Sequence, residues 1–569
     1  MTQFTFDSHN HSQQFIRITA EFETNVALTK IQLPSWRPGR YELANFAKYI
    51  RNFNIVDEKG NALSWTKITK DSWEVNTSGC IGIKVEYQFY SNILNAGSTF
   101  LDENQLYVNP VNCCVYTEET YHQKVLIRLL IPEDWQVASS LTKEKIGYSV
   151  ANMDELMDTP FIASSQLQQK SYESNGTTFY VWFNGEVKPD WERLIKDFKA
   201  FTDIQINKFT EFPVNEYHFL NQILPYRTYH GVEHQKSTVI SLGPSYEIFS
   251  GMYDDLLGVS SHELYHTWNV KAIRPIEMFP YDFSKENYSK LGYLYEGVTT
   301  YQGDMFLFKS GVFSEEQYFK ELSEQLQKHF DNHGRFNYSV AESSFDTWLD
   351  GYVPGVPARK VSIYTEGCLL AFVTDVRIRI ATDNKYGIDE VMKRLYFNYA
   401  LENKGVSEGD YQNMIEAVSG ISFQTFFDNF VYGNHAFESI ISEALEDMGL
   451  ELIHDPSENY SEGRLGMKIT KKGNNFIISN LYPGGPAENG KLSIGDEIIA
   501  VNGFSCQGDL NKWLNYFDDD QKEVTVIRNG RMLNFIFPEV NRNFYMRYSI
   551  AKMKDITGDQ KRLFDNWKK

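Results

Sequence analysis

The sequence predicts a multidomain α+β chain: a β-domain first, a mostly helical domain in the middle, and a short-stranded, glycine-rich unit towards the end. Three observations carry this. Apolar residues alternate with period two through the first 160 or so residues, recur at helical spacing from about Asp190 to Gly449, and fall into short runs divided by turns after the polar stretch His454 to Ser461. At 569 residues the chain accommodates three to four domains at about 150 residues each.

The first domain, residues 1–165, opens with Ile16, Ile18, Ala20 and Phe22 alternating with Arg17, Thr19, Glu21 and Glu23. Ile83, Val85, Tyr87 and Phe89 repeat the pattern, and KVLIRLLIP adds a run that closes on Pro132. LPSWRPGRYEL places Pro34 and the Pro38-Gly39 pair in a turn beside Trp36 and Tyr41, and on its own says nothing about function. The second domain, residues 166–450, contains the amphipathic stretches WERLIKDFKAFTDIQINKF and SEEQYFKELSEQLQKHF. The third, residues 458–540, runs through GRLGMKI, NNFIISNLYPGGPAENG, IGDEIIAVNG and KEVTVIRNGRMLNFIF. Residues 541–569 read as a basic helical tail.

Composition narrows the function. Hydrophobic residues make up 42% and charged residues 23%, values that exclude a disordered or fibrous chain, and the 15% aromatic content points to aromatic-rich cores. The net charge of −20, from 55 basic and 75 acidic residues, repels a phosphate backbone and an anionic lipid surface, so neither nucleic acid nor a membrane is an expected partner. Five cysteines without a C-x-x-C give no support to a disulfide framework or a thiolate zinc site, which favours a reducing compartment. The start MTQFTFDSHNHSQQ lacks a basic n-region and an apolar h-region, and no apolar run approaches the roughly 18 residues needed to span a bilayer. The expected location is the cytoplasm, or the periplasm if a signal peptide has been removed.

The chemistry concentrates in SSHELYHTWN. His262 and His266, four residues apart, project from one face of a helix at the spacing that lets two imidazoles bind one zinc ion. Glu263, on the adjoining side, is placed to take a proton from metal-activated water and return it to a leaving amine. A catalytic zinc needs a third protein ligand and an open position. Glu296, thirty residues beyond His266 in the helical segment LGYLYEGVTTYQGD, completes a two-histidine, one-glutamate set with one ion per chain. Asp304, eight residues further on, is either a carboxylate behind a ligand histidine or a solvated surface residue. A His-His-Glu site also accepts cobalt or manganese.

HELYHTWNVKAIRP followed by YEGVTTYQGD resembles the zinc core of the glycyl aminopeptidase family of gluzincins, metallopeptidase family sixty-one. LPSWRPGRY is similar to that family's N-terminal β-domain signature. SFDTW (Ser344 to Trp348) and FFDNFVYG (Phe426 to Gly433) resemble later catalytic segments, and the third unit resembles its PDZ module. The resemblance implies a β-sandwich-like N-terminal domain, a thermolysin-like catalytic domain and a C-terminal PDZ-like domain. By the match of HGVEH (His230 to His234) to a G-x-M-E-N-type segment, Glu233 would bind the substrate's free α-ammonium, with His230 standing where glycine is commoner. By the match of SIYTEGCLL to an S-Y-x-K-G segment, Tyr364 would donate a hydrogen bond to the oxyanion, with Glu366 in place of the usual lysine. In the PDZ-like unit, Arg464, Leu465, Gly466 and Met467 resemble the loop whose amides hold a ligand's C-terminal carboxylate.

The implied activity is zinc-dependent removal of N-terminal residues, Gly or Ala preferred, from peptides with a free N-terminus. A C-terminal peptide ligand is the further expected partner. The rival readings are a zinc endopeptidase with the same site and an inactive scaffold acting through the PDZ-like domain.

Overall fold

The alternation at Phe15–Glu23 buries Ile16, Ile18, Ala20 and Phe22 completely or nearly so, and this strand pairs antiparallel with Gly82–Tyr90 on one side and Thr2–Asp7 on the other. It lies in a seven-stranded sheet ordered Thr142–Lys143, Tyr148–Val150, Val125–Leu130, Thr2–Asp7, Phe15–Glu23, Gly82–Tyr90 and Ile50–Asp57. A four-stranded sheet packs against it, with the Phe6 and Phe161 rings 5.4 Å apart, and its strand Phe161–Ser164 closes the β-domain. The computed structural model describes residues 2–353, 355–518, 521–537 and 542–569.

The middle of the chain is mostly helical but opens with a five-stranded sheet that helical spacing did not predict. Its order is Gln168–Ser174, Thr177–Asn184, Glu216–Ile223, Ser237–Gly243 and, at the edge, Thr228–Glu233. Ser237–Gly243 is buried at every position and Glu216–Ile223 at all but its first. Covered on both faces, these strands lack the period-two signature of a half-exposed strand. The helices follow their sequence signals: Asp190 caps Trp191–Phe209, and Ser314 with Gln317 forms a capping box for Glu315–Asp331. The 19-residue helix Ile363–Ala381 crosses the centre of this core and is buried around most of its circumference.

The PDZ-like unit has its own core, including Met467, Ile478, Val501, Leu514 and Val526. It does not hang from the end of the chain. Leu450–Pro456 leads into it and Met546–Lys552 leads out, and these two strands pair antiparallel over their full length, so the module is an insertion held at both ends.

The expected helical tail is therefore corrected to a strand followed by the helix Gly558–Trp567. Alternation of Met546, Tyr548 and Ile550 drives the strand, and Tyr548 stacks on Phe330 with centroids 4.0 Å apart. Trp567 is fully buried and donates from Nε1 to the Tyr301 hydroxyl at 2.8 Å. The expected boundary at 540/541 lies outside the described residues. Among the described residues no helix is long and apolar enough to cross a membrane.

Candidate active site

The helix Tyr253–Tyr265 carries Asp254 and Asp255 in its first turn, where carboxylates complement the helix dipole, and ends at His266. Its last turn brings His262 Nε2 and His266 Nε2 to 3.0 Å from each other. Glu296 lies in a π-helical turn, Tyr293–Val298, just before the helix Thr299–Lys309, a local widening of the kind found at functional sites. Its Oε2 is 3.3 Å from His266 Nε2 and 3.8 Å from His262 Nε2. Four ligands at 2.0 to 2.1 Å around a tetrahedral ion lie about 3.3 Å from one another, so these three atoms have the spacing of one face of such a site.

His266 donates from Nδ1 to the Asn269 carbonyl at 2.7 Å, which leaves the Nε2 lone pair for a metal. Asn269 in turn donates from Nδ2 to Leu294 O at 2.9 Å and to Thr299 Oγ1 at 3.1 Å, tying the turn after His266 to the turn that carries Glu296. The partner behind a ligand histidine is thus a backbone carbonyl. Among the described residues Asp304 makes no hydrogen bond to His262 or His266. It lines the same cleft, where burial, with Glu321 and Glu324, pushes it up to about 8.

Glu233 ends the edge strand Thr228–Glu233, and one oxygen of Glu233, one of Glu263 and a His266 nitrogen lie within 4.8 Å of one another. Glu233 is 3% exposed and Glu263 5%, yet among the described residues Glu233 Oε1 and Glu263 Oε2 have no hydrogen-bond partner. The strand comes this close because residue 231 is glycine: a Cβ there would lie 2.2 Å from Glu263 Oε1. Burial pushes Glu263 well up, with Glu233 and Glu296 adding and His266 opposing. Burial also favours raising Glu296, but the charge of His266 and hydrogen bonds from both histidines hold it at about 2. Burial, reinforced by Arg37 and Arg40, pushes His230 down to about 4, so it is neutral near pH 7.

Ser362 accepts from Thr365 N and starts the helix Ile363–Ala381, which puts Tyr364 in its first turn. The Tyr364 ring lies 6.5 Å from that of His262, on the wall of the same ≈ 790 Å³ cleft. Burial first, and Glu296 next, raise its phenol well above the ordinary value and keep it a donor. Glu366 points elsewhere: it accepts from His329 Nδ1 at 2.7 and 2.9 Å in a buried pair behind the helix.

The structure therefore gathers His262, His266, Glu296, Glu263, Glu233 and Tyr364 around one cleft. It also brings there Gly39, from the LPSWRPGRYEL turn of the β-domain, which sequence reasoning set aside. The sequence signals were the density of Trp, Arg, Pro and Gly in that turn and its likeness to the N-terminal signature.

The turn Arg464–Met467 does not line this cleft, and among the described residues its first three amides are engaged. Arg464 N and Leu465 N donate to Tyr460 O, Gly466 N donates to Glu462 O, and Phe544 packs over Gly466.

Two imidazoles and a carboxylate facing a cleft beside a further buried glutamate define a metallopeptidase of the H-E-x-x-H class. Family models match as the peptidase M61 N-terminal domain over residues 3–165, as M61 glycyl aminopeptidase over 255–370, and as a PDZ domain over 453–513. The chain belongs to the M61 glycyl aminopeptidase family and carries a PDZ domain. Among solved structures, an aminopeptidase N family protein from Idiomarina loihiensis is 23% identical with a TM-score of 0.91 over 100% of both chains, and so has the same fold throughout. An M1 zinc metallopeptidase from Deinococcus radiodurans, crystallised as a mutant with a tyrosyl-seryl-alanine substrate, is 11% identical over 76% of this chain and 94% of its own, with a TM-score of 0.47. No curated protein matches the chain.

Proposed function

We propose that the protein is a zinc-dependent aminopeptidase that removes N-terminal residues, Gly and Ala preferentially, from peptides with a free N-terminus. The observation that carries this reading is the unpartnered, buried Glu233 Oε1 beside Glu263 and His266. A buried carboxylate oxygen without a donor is costly unless a cation completes it, and a substrate α-ammonium is a cation of the right size and charge.

His262 Nε2, His266 Nε2 and Glu296 would hold the zinc ion. When bound, it supplies Lewis acidity towards the scissile carbonyl and lowers the pKa of water. Glu263 receives the proton of the attacking water on a carboxylate oxygen and passes it to the leaving amine; its burial favours the protonated form between the two transfers. Tyr364 donates its hydroxyl proton in a hydrogen bond to the carbonyl oxygen as negative charge develops there. Glu233 holds the ammonium one residue from the scissile bond, which limits cleavage to the chain end.

The test is hydrolysis of Gly and Ala p-nitroanilides beside N-acetylated controls, with and without chelator, on wild type, Glu263→Gln and Glu233→Gln, with metal content measured on the same samples. The reading requires chelator-sensitive release from free-amine substrates only, loss of about a thousandfold or more in kcat for Glu263→Gln with zinc retained, and a rise of KM for the free-amine substrates in Glu233→Gln. Turnover of blocked substrates by wild type would establish an endopeptidase instead. Bound zinc with no turnover at all would establish a scaffold.

A further inference from the structure

Among the described residues, Gly39 is the part of the β-domain that lines the cleft. A Cβ on Gly39 would lie 2.5 Å from Glu233 Oε2 and 3.2 Å from Val232 Cγ1, so the glycine backbone is packed directly on the carboxylate, at a φ of +75° that favours glycine. Arg37, 5% exposed, donates to Pro38 O at 3.2 Å and sits so tightly that a Cβ on Gly97 would strike its guanidinium. Burial pushes its guanidinium below the ordinary value, and Tyr107, Tyr352 and Glu233 oppose that shift.

The turn is also clamped to the catalytic domain. Ser35 N donates to Phe283 O at 2.7 Å, Trp36 Nε1 to Asp282 O at 2.8 Å, and Tyr41 N to the Tyr352 hydroxyl at 3.1 Å. Trp36 meets Trp348 edge-on at 5.0 Å, and Tyr41 lies 5.1 Å from Tyr295, the neighbour of Glu296.

We propose that Arg37 and Gly39 are positioning residues of the substrate-amine site. Gly39 backs the Oε2 side of Glu233, Arg37 holds the turn in place, and together they leave Oε1 as the face that meets the ammonium. The site is then shared between two domains, and the catalytic domain without this turn would lack selectivity for free amines. The proposal rests on the reading of Glu233 as the amine anchor.

The test uses the full-length, zinc-loaded protein as wild type, Gly39→Ala, Arg37→Met, Arg37→Lys and Glu233→Gln. It measures KM and kcat on Ala p-nitroanilide, calorimetric binding of alanine amide, zinc content and thermal midpoint. Expected are a KM raised about tenfold and alanine amide binding weakened equally in Gly39→Ala and Arg37→Met, with kcat within about twofold, zinc retained, and partial recovery in Arg37→Lys. Unchanged KM and binding in both variants, or losses that only follow a fall in thermal midpoint, would overturn the proposal while leaving the Glu233 reading intact if Glu233→Gln loses its amine preference. A Glu233→Gln enzyme with wild-type amine preference would overturn both.

Discussion

His266 is held from both sides of its ring, by the Asn269 carbonyl on Nδ1 and by the metal-facing geometry on Nε2. Asn269→Ala keeps that carbonyl but strips Leu294 O and Thr299 Oγ1 of their donor in a fully buried place. Metal affinity should fall by about tenfold to a hundredfold, read by competition with a coloured chelator. An unchanged affinity would show that the link between the two ligand-bearing turns is immaterial. At this scale, what could be read in the sequence depended on distance along the chain. His262 and His266 share one helix, so their spacing alone put both nitrogens on one face, and Glu296 needed only the next helix. The closeness of Gly39 to Glu233 spans 194 residues and depends on how two domains dock, which no local pattern encodes. The same holds for the Asn269 side chain, whose partners are the Leu294 carbonyl and the Thr299 hydroxyl, on later elements.

The strand that ends at Glu233 is fixed by an ion pair just beyond that residue. Asp158, in the β-domain just before its strand Phe161–Ser164, meets Lys271 Nζ at 2.7 Å and His234 Nδ1 at 3.1 Å, and its Oδ2 accepts from Gln235 N at 2.8 Å. Burial alone would raise Asp158, but Lys271 first and His234 next hold it well below its ordinary value of 3.8. A carboxylate with a depressed folded-state pKa contributes its stability in full above the unfolded-state value and loses it as pH falls through the folded one. Asp158→Asn should therefore cost about 3 kcal/mol in denaturant unfolding at pH 7, because it leaves Lys271 buried and uncompensated, and the gap to wild type should narrow below about pH 4. A gap independent of pH would refute the charge assignment. Whole elements were legible where one face is wet: the strand Phe15–Glu23 and the helix Glu315–Asp331 both announce their period. Glu216–Ile223 and Ser237–Gly243 were not, since burial on both sides erases the alternation.

The last helix returns to the core of the catalytic domain. Trp567 packs with Phe308, Tyr318 and Phe372 behind the helix that follows Glu296, and its bond to Tyr301 continues to Asp375 Oδ2 at 2.7 Å. Trp567→Ala should destabilise the catalytic core by about 3 to 5 kcal/mol, measured by denaturant unfolding of the zinc-loaded protein; a loss under about 1 kcal/mol would mean that the last helix is a dispensable cover. The insertion of the PDZ-like unit has a further consequence for how the chain reaches this state. The contact of Pro456 with Met546 closes a loop of about 90 residues, which costs about 4 kcal/mol in chain entropy if that loop is disordered. A loop already condensed into a small domain whose two ends lie side by side is effectively far shorter. A module that folds before the rest would thus act as a folding spacer, bringing the strand Met546–Lys552 and the terminal helix to the core they complete.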